Sequence, residues 1–224
     1  MIHFHVSYQI YFTDTMLPRS PVLREVFPRL SIALPSVLFY NEDMKIVSIV
    51  GMAGSGKSEV ASRFEEKGYA RIRFGDITDE VVLKRGLPLT EENERVVREG
   101  LRREHGMAAY ALLNKPKIDA ALETGDIVID GLYSWEEYLF LKEAYGADFF
   151  VVAVYSSPET RYSRLTVRGN RGRTIEEAES RDRAEIEKIN KGGPIAMSDF
   201  TLINESSKKD LVAAADVLME KLKS

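Results

Sequence analysis

The chain has no cysteine, only three histidines and a single tryptophan in its 224 residues. Without thiols there are no disulfides and no thiolate metal sites, which fits a reducing, cytoplasmic interior. His3 and His5 supply two metal donors but lack the further ligand spacing a metal site needs. Long apolar runs are also missing. The most apolar early stretch, Ser31 to Tyr40, is broken by Pro35 and preceded by Arg29, well short of the roughly eighteen residues that cross a bilayer. Residues 1–43 show no basic start, unbroken apolar segment and small-residue cleavage site, so they do not read as a signal peptide. Nor is there an excess of positive charge. Lys and Arg number 31 against 35 Asp and Glu, a net charge of -4, so no global field points to nucleic acid or an anionic membrane as partner. The remainder, 44% hydrophobic and 29% charged, is the usage of an ordinary folded chain, long enough for one sizeable domain.

That domain is expected over residues 44–224. Pro18, Pro21, Pro28 and Pro35 leave no periodicity between them, so residues 1–43 read as a weakly structured extension. From Met44 the pattern alternates. Lys45 to Val50 is a β-branched run ending in glycine. Ala70 to Phe74, Ile127 to Ile129, Phe149 to Tyr155 and Phe200 to Ile203 are further strands, the fourth in chain order apolar enough to be buried on both faces. Helix starts lie between them: Ser134 with Glu137 and Thr174 with Glu177 have capping-box spacing, and Ser157-Pro158 supplies a cap and a first-turn proline. Leu211, Ala214, Ala215, Leu218 and Leu222 share one helical face. Strands alternating with helices predict an α/β fold, a five-stranded parallel sheet sandwiched between two helical layers.

Gly51-Met52-Ala53-Gly54-Ser55-Gly56-Lys57-Ser58 fits GxxxxGKS, after a strand and before a helix that carries Val60, Ala61 and Phe64 on one face and ends near Gly68. The glycines let the backbone wrap a phosphate with its N–H groups turned inward, and the helix adds the positive end of its dipole. All eight residues are therefore assigned to ATP, with Lys57 bridging the β- and γ-phosphates and the Ser58 hydroxyl on Mg²⁺.

The P-loop alone does not choose among kinases, GTPases and motor ATPases. A GTPase should carry an NKxD-type guanine reader, but Asn190-Lys191 runs on into Gly192-Gly193 and Asn114-Lys115 into Pro116. The third strand leads to Asp130-Gly131, where the carboxylate either holds Mg²⁺ through its water shell and contacts the acceptor or finishes a strand-end turn. Together with Phe74-Gly75-Asp76 after the second strand, an arginine-rich stretch leading to Arg181-Asp182 and Glu185, and Ser198-Asp199-Phe200 leading into Asn204, these features resemble the adenylate-kinase and dephospho-CoA-kinase branch of P-loop kinases. They are most similar to an archaeal adenylate-kinase-related family. The likeness spans Met44 to the C-terminus. It implies ATP held between loop and lid, an acceptor over the segment after the second strand (about residues 75–125), and the lid at about 161–185. Two departures stand out. Adenylate kinases place an arginine soon after Asp-Gly, where this chain has Leu132-Tyr133-Ser134. Dephospho-CoA kinases carry Asp-x-Asp where this chain has Asp76 and Asp79, three apart. Asp76 is then either the base that accepts the acceptor's proton, and so an acceptor contact, or a cap for the helix at Ile77, with Asp79 complementing its dipole.

Two arginine clusters complete the expectations. Arg161, Arg164 and Arg168 share a helical face and run into Arg168-Gly169-Asn170-Arg171-Gly172-Arg173, either a lid closing on ATP or a solvated basic helix end. On the lid reading Arg164 and Arg168 are catalytic, and Arg168 and Arg171 grip ATP. Arg95, Arg98 and Arg102 also share a face. They clamp an acceptor phosphate or pair with the interleaved Glu91, Glu94, Glu99 and Glu104. Trp135 stacks on a base or packs against the sheet. The expected activity is Mg²⁺- and ATP-dependent phosphoryl transfer to a small nucleotide-like acceptor, the alternative being a regulatory ATPase without one.

Overall fold

The computed structural model describes residues 44–167 and 174–223. Strands β1 (Ile46–Val50), β2 (Ala70–Arg73), β3 (Ile127–Asp130), β4 (Phe149–Tyr155) and β5 (Phe200–Ile203) form one sheet in the order β2-β3-β1-β4-β5, every pairing parallel. All five expected strands are present, to within a residue at each end.

Parallel strands need crossovers, and each crossover here is helical. Helix α1 (Lys57–Glu66) joins β1 to β2. The long β2–β3 connection holds α2 (Asp76–Lys84), α3 (Glu91–His105) and α4 (Ala109–Leu122), while α5 (Trp135–Tyr145) joins β3 to β4. Between β4 and β5 come α6 (Pro158–Thr166), α7 (Ile175–Ile189) and the short α8 (Gly192–Ala196), and α9 (Lys208–Lys223) ends the domain. The expected capping boxes at Ser134/Glu137 and Thr174/Glu177 both form, and Ser157 Oγ accepts from the Thr160 amide. Each satisfies N–H groups that a first helical turn leaves unpaired. Arg168 and Arg171 lie outside the described residues.

Because side chains alternate across a strand, the central strands feed two cores. Ile46, Val50, Ile129 and Val151 pack with Tyr110, Ile118 and Leu141 from α4 and α5. Val47, Ile49, Val152 and Val154 pack with Val60 and Phe64 of α1 and Leu211, Ala215 and Leu218 of α9. Phe64 is fully buried, and truncating it to alanine should cost about 3–5 kcal/mol. Among the described residues no helix is long and apolar enough to cross a membrane. The parallel arrangement brings the carboxyl ends of β1, β3, β4 and β5 to one edge, where open α/β sheets bind ligands.

Candidate active site

At that edge the loop from Gly51 to Gly56 leaves β1 and enters α1. Gly54 (φ 81°) and Gly56 (φ 99°) sit in the left-handed region. A Cβ on Gly54 would come within 2.8 Å of the Arg161 carbonyl oxygen, and one on Gly56 would strike the Asn204 side chain. These positions therefore exclude side chains both by conformation and by space. Neighbouring strand ends strap the loop down. The Asn204 amide donates to Ser55 O at 2.8 Å, and Ser156 Oγ donates to Asn204 O at 2.6 Å. Arg161, buried in α6, donates to Ala53 O at 3.0 Å and pairs with Asp182 of α7 at 2.5 Å. Arg161 thus belongs to the scaffold rather than the cavity. Arg164, one turn on, does line the loop's cavity, donating to Ser156 Oγ at 3.0 Å.

This first cavity has a volume of about 700 Å³ and gathers Lys57, Ser58, Asp130 and Arg164 with Arg181, Glu185 and Lys191. Lys57 Nζ rests on the Met52 carbonyl at 2.9 Å. Burial, reinforced by the charge of Lys191, pushes its ammonium down to about 7 against the pull of Glu185 and Asp130. Asp130 closes on Arg71 of β2 at 2.5 Å. Asp130 and Ser58 present a carboxylate and a hydroxyl to the same space, hard oxygen donors that fit Mg²⁺ with its retained waters. The first turn of α1 places Ser58, and the register of β3 beside β1, with Asp130 opposite Ile49, brings Asp130 in.

A second cavity, about 1240 Å³, opens between α2, α3 and α7. It shares Arg73, Tyr133, Arg181 and Glu185 with the first, so the two spaces meet at these side chains. Arg95 and Arg98 line it. Arg95 is 71% exposed and approaches Glu99 at 3.6 Å, while Arg98 pairs with Glu91 at 2.7 Å and Glu94 at 3.4 Å. The helical geometry therefore forms the intrahelical pairs expected of this spacing, without removing either arginine from the cavity wall. Asp76 and Asp79 converge on one guanidinium, Arg73 Nη1, at 2.6 and 3.0 Å. Asp79 lines the second cavity; Asp76, 49% exposed, lines neither. Gly75 takes the position before α2, so Asp76 opens the helix rather than capping it. Trp135 stacks on Tyr138 at 5.0 Å against the core, its packing role.

Sequence spacing did not single out Arg71, Arg73 or Lys191. Arg71 and Arg73 alternate with Ala70 and Ile72 along β2, the pattern of a strand with one polar face, and that alternation was the available signal. Lys191 follows Asn190, the one non-glycine residue among those described with positive φ (53°), and such a left-handed residue before Gly-Gly marks a tight turn that aims its neighbour inward.

A family model described as an AAA domain matches residues 47–188. A UPF0200 protein of Thermococcus gammatolerans is 39% identical over 181 residues, covering 79% of this chain and 95% of that relative. Among solved structures, a shikimate kinase from Bacteroides thetaiotaomicron aligns with a TM-score of 0.54 at 13% identity, covering 81% of this chain and 99% of that one. A gluconokinase from Sinorhizobium meliloti aligns with a TM-score of 0.51 at 18% identity, covering 81% and 94%. At such identities the likeness is one of fold, and the fold is that of the P-loop kinases.

Proposed function

This chain belongs to the UPF0200 family, and from that premise we propose that residues 44–224 form an ATP- and Mg²⁺-dependent kinase acting on a small nucleotide or nucleotide-like acceptor. One observation carries the reading: the cavity of the phosphate-binding loop borders a second, larger cavity, the two sharing Arg73, Tyr133, Arg181 and Glu185 in their walls. Phosphoryl transfer asks a protein chiefly for two aligned ligands and positive charge around the moving group. Two adjoining spaces with cations on their shared wall suit that demand, whereas a hydrolase needs only the first.

In this assignment Gly51 to Ser58 hold the ATP phosphates, Lys57 follows the charge on the transferring group, and Arg164, Arg168 and Arg171 close over the donor. Ser58 and Asp130 would hold Mg²⁺, which when bound neutralises charge on the phosphate oxygens. Arg95 and Arg98 face the acceptor. The base belongs to the Asp76–Asp79 pair on Arg73, with Asp79 on the cavity side. A small-molecule acceptor in the cytoplasm, rather than nucleic acid or membrane, suits the net charge of -4. Nucleoside monophosphates and dephospho-CoA-like molecules are the acceptor classes to try first.

The test is ADP formation from Mg·ATP across such a panel, with Lys57→Ala as the blank. Stimulation by one acceptor establishes the kinase. Slow turnover indifferent to every acceptor replaces it with a regulatory ATPase.

A further inference from the structure

The arginines around the second cavity are not equivalent. Arg73 is held by Asp76 and Asp79, Arg98 by Glu91 and Glu94, Arg181 by Glu185, and Arg95 leans on Glu99. Arg103 and Lys188 are exposed on the rim. Arg102 differs from all of these: it is half-buried, lines the cavity, and has neither ion pair nor hydrogen bond among the described residues. Its Nε is buried without a partner, a state proteins ordinarily avoid because it costs stability. Glu137, on which Arg102 acts more strongly than any other charge, directs Oε2 to the amides of Tyr133 and Ser134, and its Oε1 is buried with no hydrogen-bond partner.

Arg102 is nonetheless held in place. Its guanidinium lies 5.1 Å over the ring of Tyr110, which is 1% exposed and whose hydroxyl is 2.5 Å from Thr78 Oγ1. An aromatic face orients the fork without using any of its N–H donors. Arg102 also lines only the second cavity, whereas Arg73, Tyr133 and Arg181 line both. The group it can bind therefore lies within the second cavity rather than at the side chains the two cavities share.

We propose that Arg102 anchors an oxyanion of the acceptor, a carboxylate or a phosphate ester, at a distance from the atom that receives the phosphoryl group. This rests on reading the second cavity as the acceptor's. It makes the substrate bifunctional, with a nucleophilic oxygen at one end and a permanent anion at the other. Of the two acceptor classes to try first, it favours dephospho-CoA-like molecules, which carry a phosphate besides the hydroxyl, over a nucleoside monophosphate, whose single anion is itself the nucleophile.

The test titrates inorganic phosphate and, separately, acetate into Lys57→Ala protein by calorimetry. In that background the phosphate loop is impaired, so the anion site is read whether or not ATP is the donor. At least one probe should bind. Adding Arg102→Gln should weaken that binding about tenfold or more, the loss expected for a charge-assisted contact, while adding Arg85→Gln, at an exposed arginine that lines neither cavity, changes it less than about twofold. Arg102→Lys, which keeps the charge and loses the fork, should recover part of the affinity and guards against a folding defect. Preference for phosphate points to a phosphate ester, and preference for acetate to a carboxylate. Equal binding with and without Arg102, or no binding of either probe, overturns the proposal, and neither outcome bears on acceptor-stimulated ADP formation.

Discussion

Lys191 Nζ and Glu185 Oε2 lie 2.6 Å apart at the meeting point of the two cavities, with Lys191 only 2% exposed and Arg181 on the other carboxylate oxygen at 2.9 Å. One carboxylate thus balances two cations beside the phosphate loop. Burial works against its ionisation, but the charges of Lys191 and Arg181 overcome that and hold Glu185 down to about 2. Its folded value is therefore below the ordinary 4.5, so its stabilisation is complete above that value and is lost as pH falls toward 2. Glu185→Gln should cost about 3 kcal/mol near neutrality, because it leaves the buried Lys191 ammonium uncompensated. Urea unfolding of both proteins checks this: the gap between them should be constant from pH 6 to about 5 and shrink below about 4.5. A gap that stays constant down to pH 3 would remove the coupling.

Lys57 titrates in the opposite sense, with a folded value of about 7 against the ordinary 10.5. Between those values the unfolded chain holds a proton that the folded one has released, so this residue makes stability rise with pH across that window. Phosphate binding needs the ammonium, so binding must restore the proton. Calorimetry of Mg·ATP binding in buffers of different ionisation enthalpy should show proton uptake growing from pH 6.5 to 8.5, with affinity falling by up to about tenfold per pH unit. In Lys57→Ala the uptake should vanish along with most of the affinity. PH-independent binding in the wild type would show that Lys57 is already charged.

Much of the fold was legible because its signals are local. Phe149 to Tyr155 reads as a buried strand from its own composition, and Ser134 with Glu137 closes its capping box within four residues. The P-loop is equally self-contained. What escaped depends on contacts distant in sequence: Arg71 meets Asp130 across fifty-nine positions, and Arg161 meets Ala53 across one hundred and eight. Spacing placed Arg161, Arg164 and Arg168 on one face but could not say that the first would be drawn into the scaffold by Asp182. Nor could it show that Asp79, and not Asp76, turns toward the second cavity, since both follow β2 within one helical turn.

That difference between Arg161 and Arg164 separates two kinds of loss. Arg161→Met leaves the buried Asp182 without its guanidinium and should cost about 3–5 kcal/mol in urea unfolding. Arg164 is partly exposed, and its partners Ser156 and Asn204 are neutral and keep hydrogen bonds of their own, to Asn204 O and Ser55 O. Arg164→Met should cost about 1 kcal/mol or less and instead weaken ATP binding by roughly tenfold. Equal destabilisation by the two would place Arg164 in the scaffold as well.

The pairing of Asp76 and Asp79 on Arg73 sets the last expectation. A general base must reach the acceptor, and of the two carboxylates Asp79, 21% exposed, faces the second cavity while Asp76 faces water. Both hold Arg73 at the junction, so removing either loosens that guanidinium, but only one removal also takes a carboxylate away from the acceptor. With an acceptor in hand, Asp79→Asn should lower kcat by about a hundredfold or more with little change in KM for ATP, the size of a lost proton acceptor. Asp76→Asn should act through Arg73 alone, lowering kcat by about tenfold or less. Stability should barely separate the two, because each is one partner of a solvent-reachable pair. A large kcat loss confined to Asp76→Asn would return the base to the first residue of α2, and comparable small losses in both would mean that no carboxylate accepts the proton and that positioning alone carries the transfer.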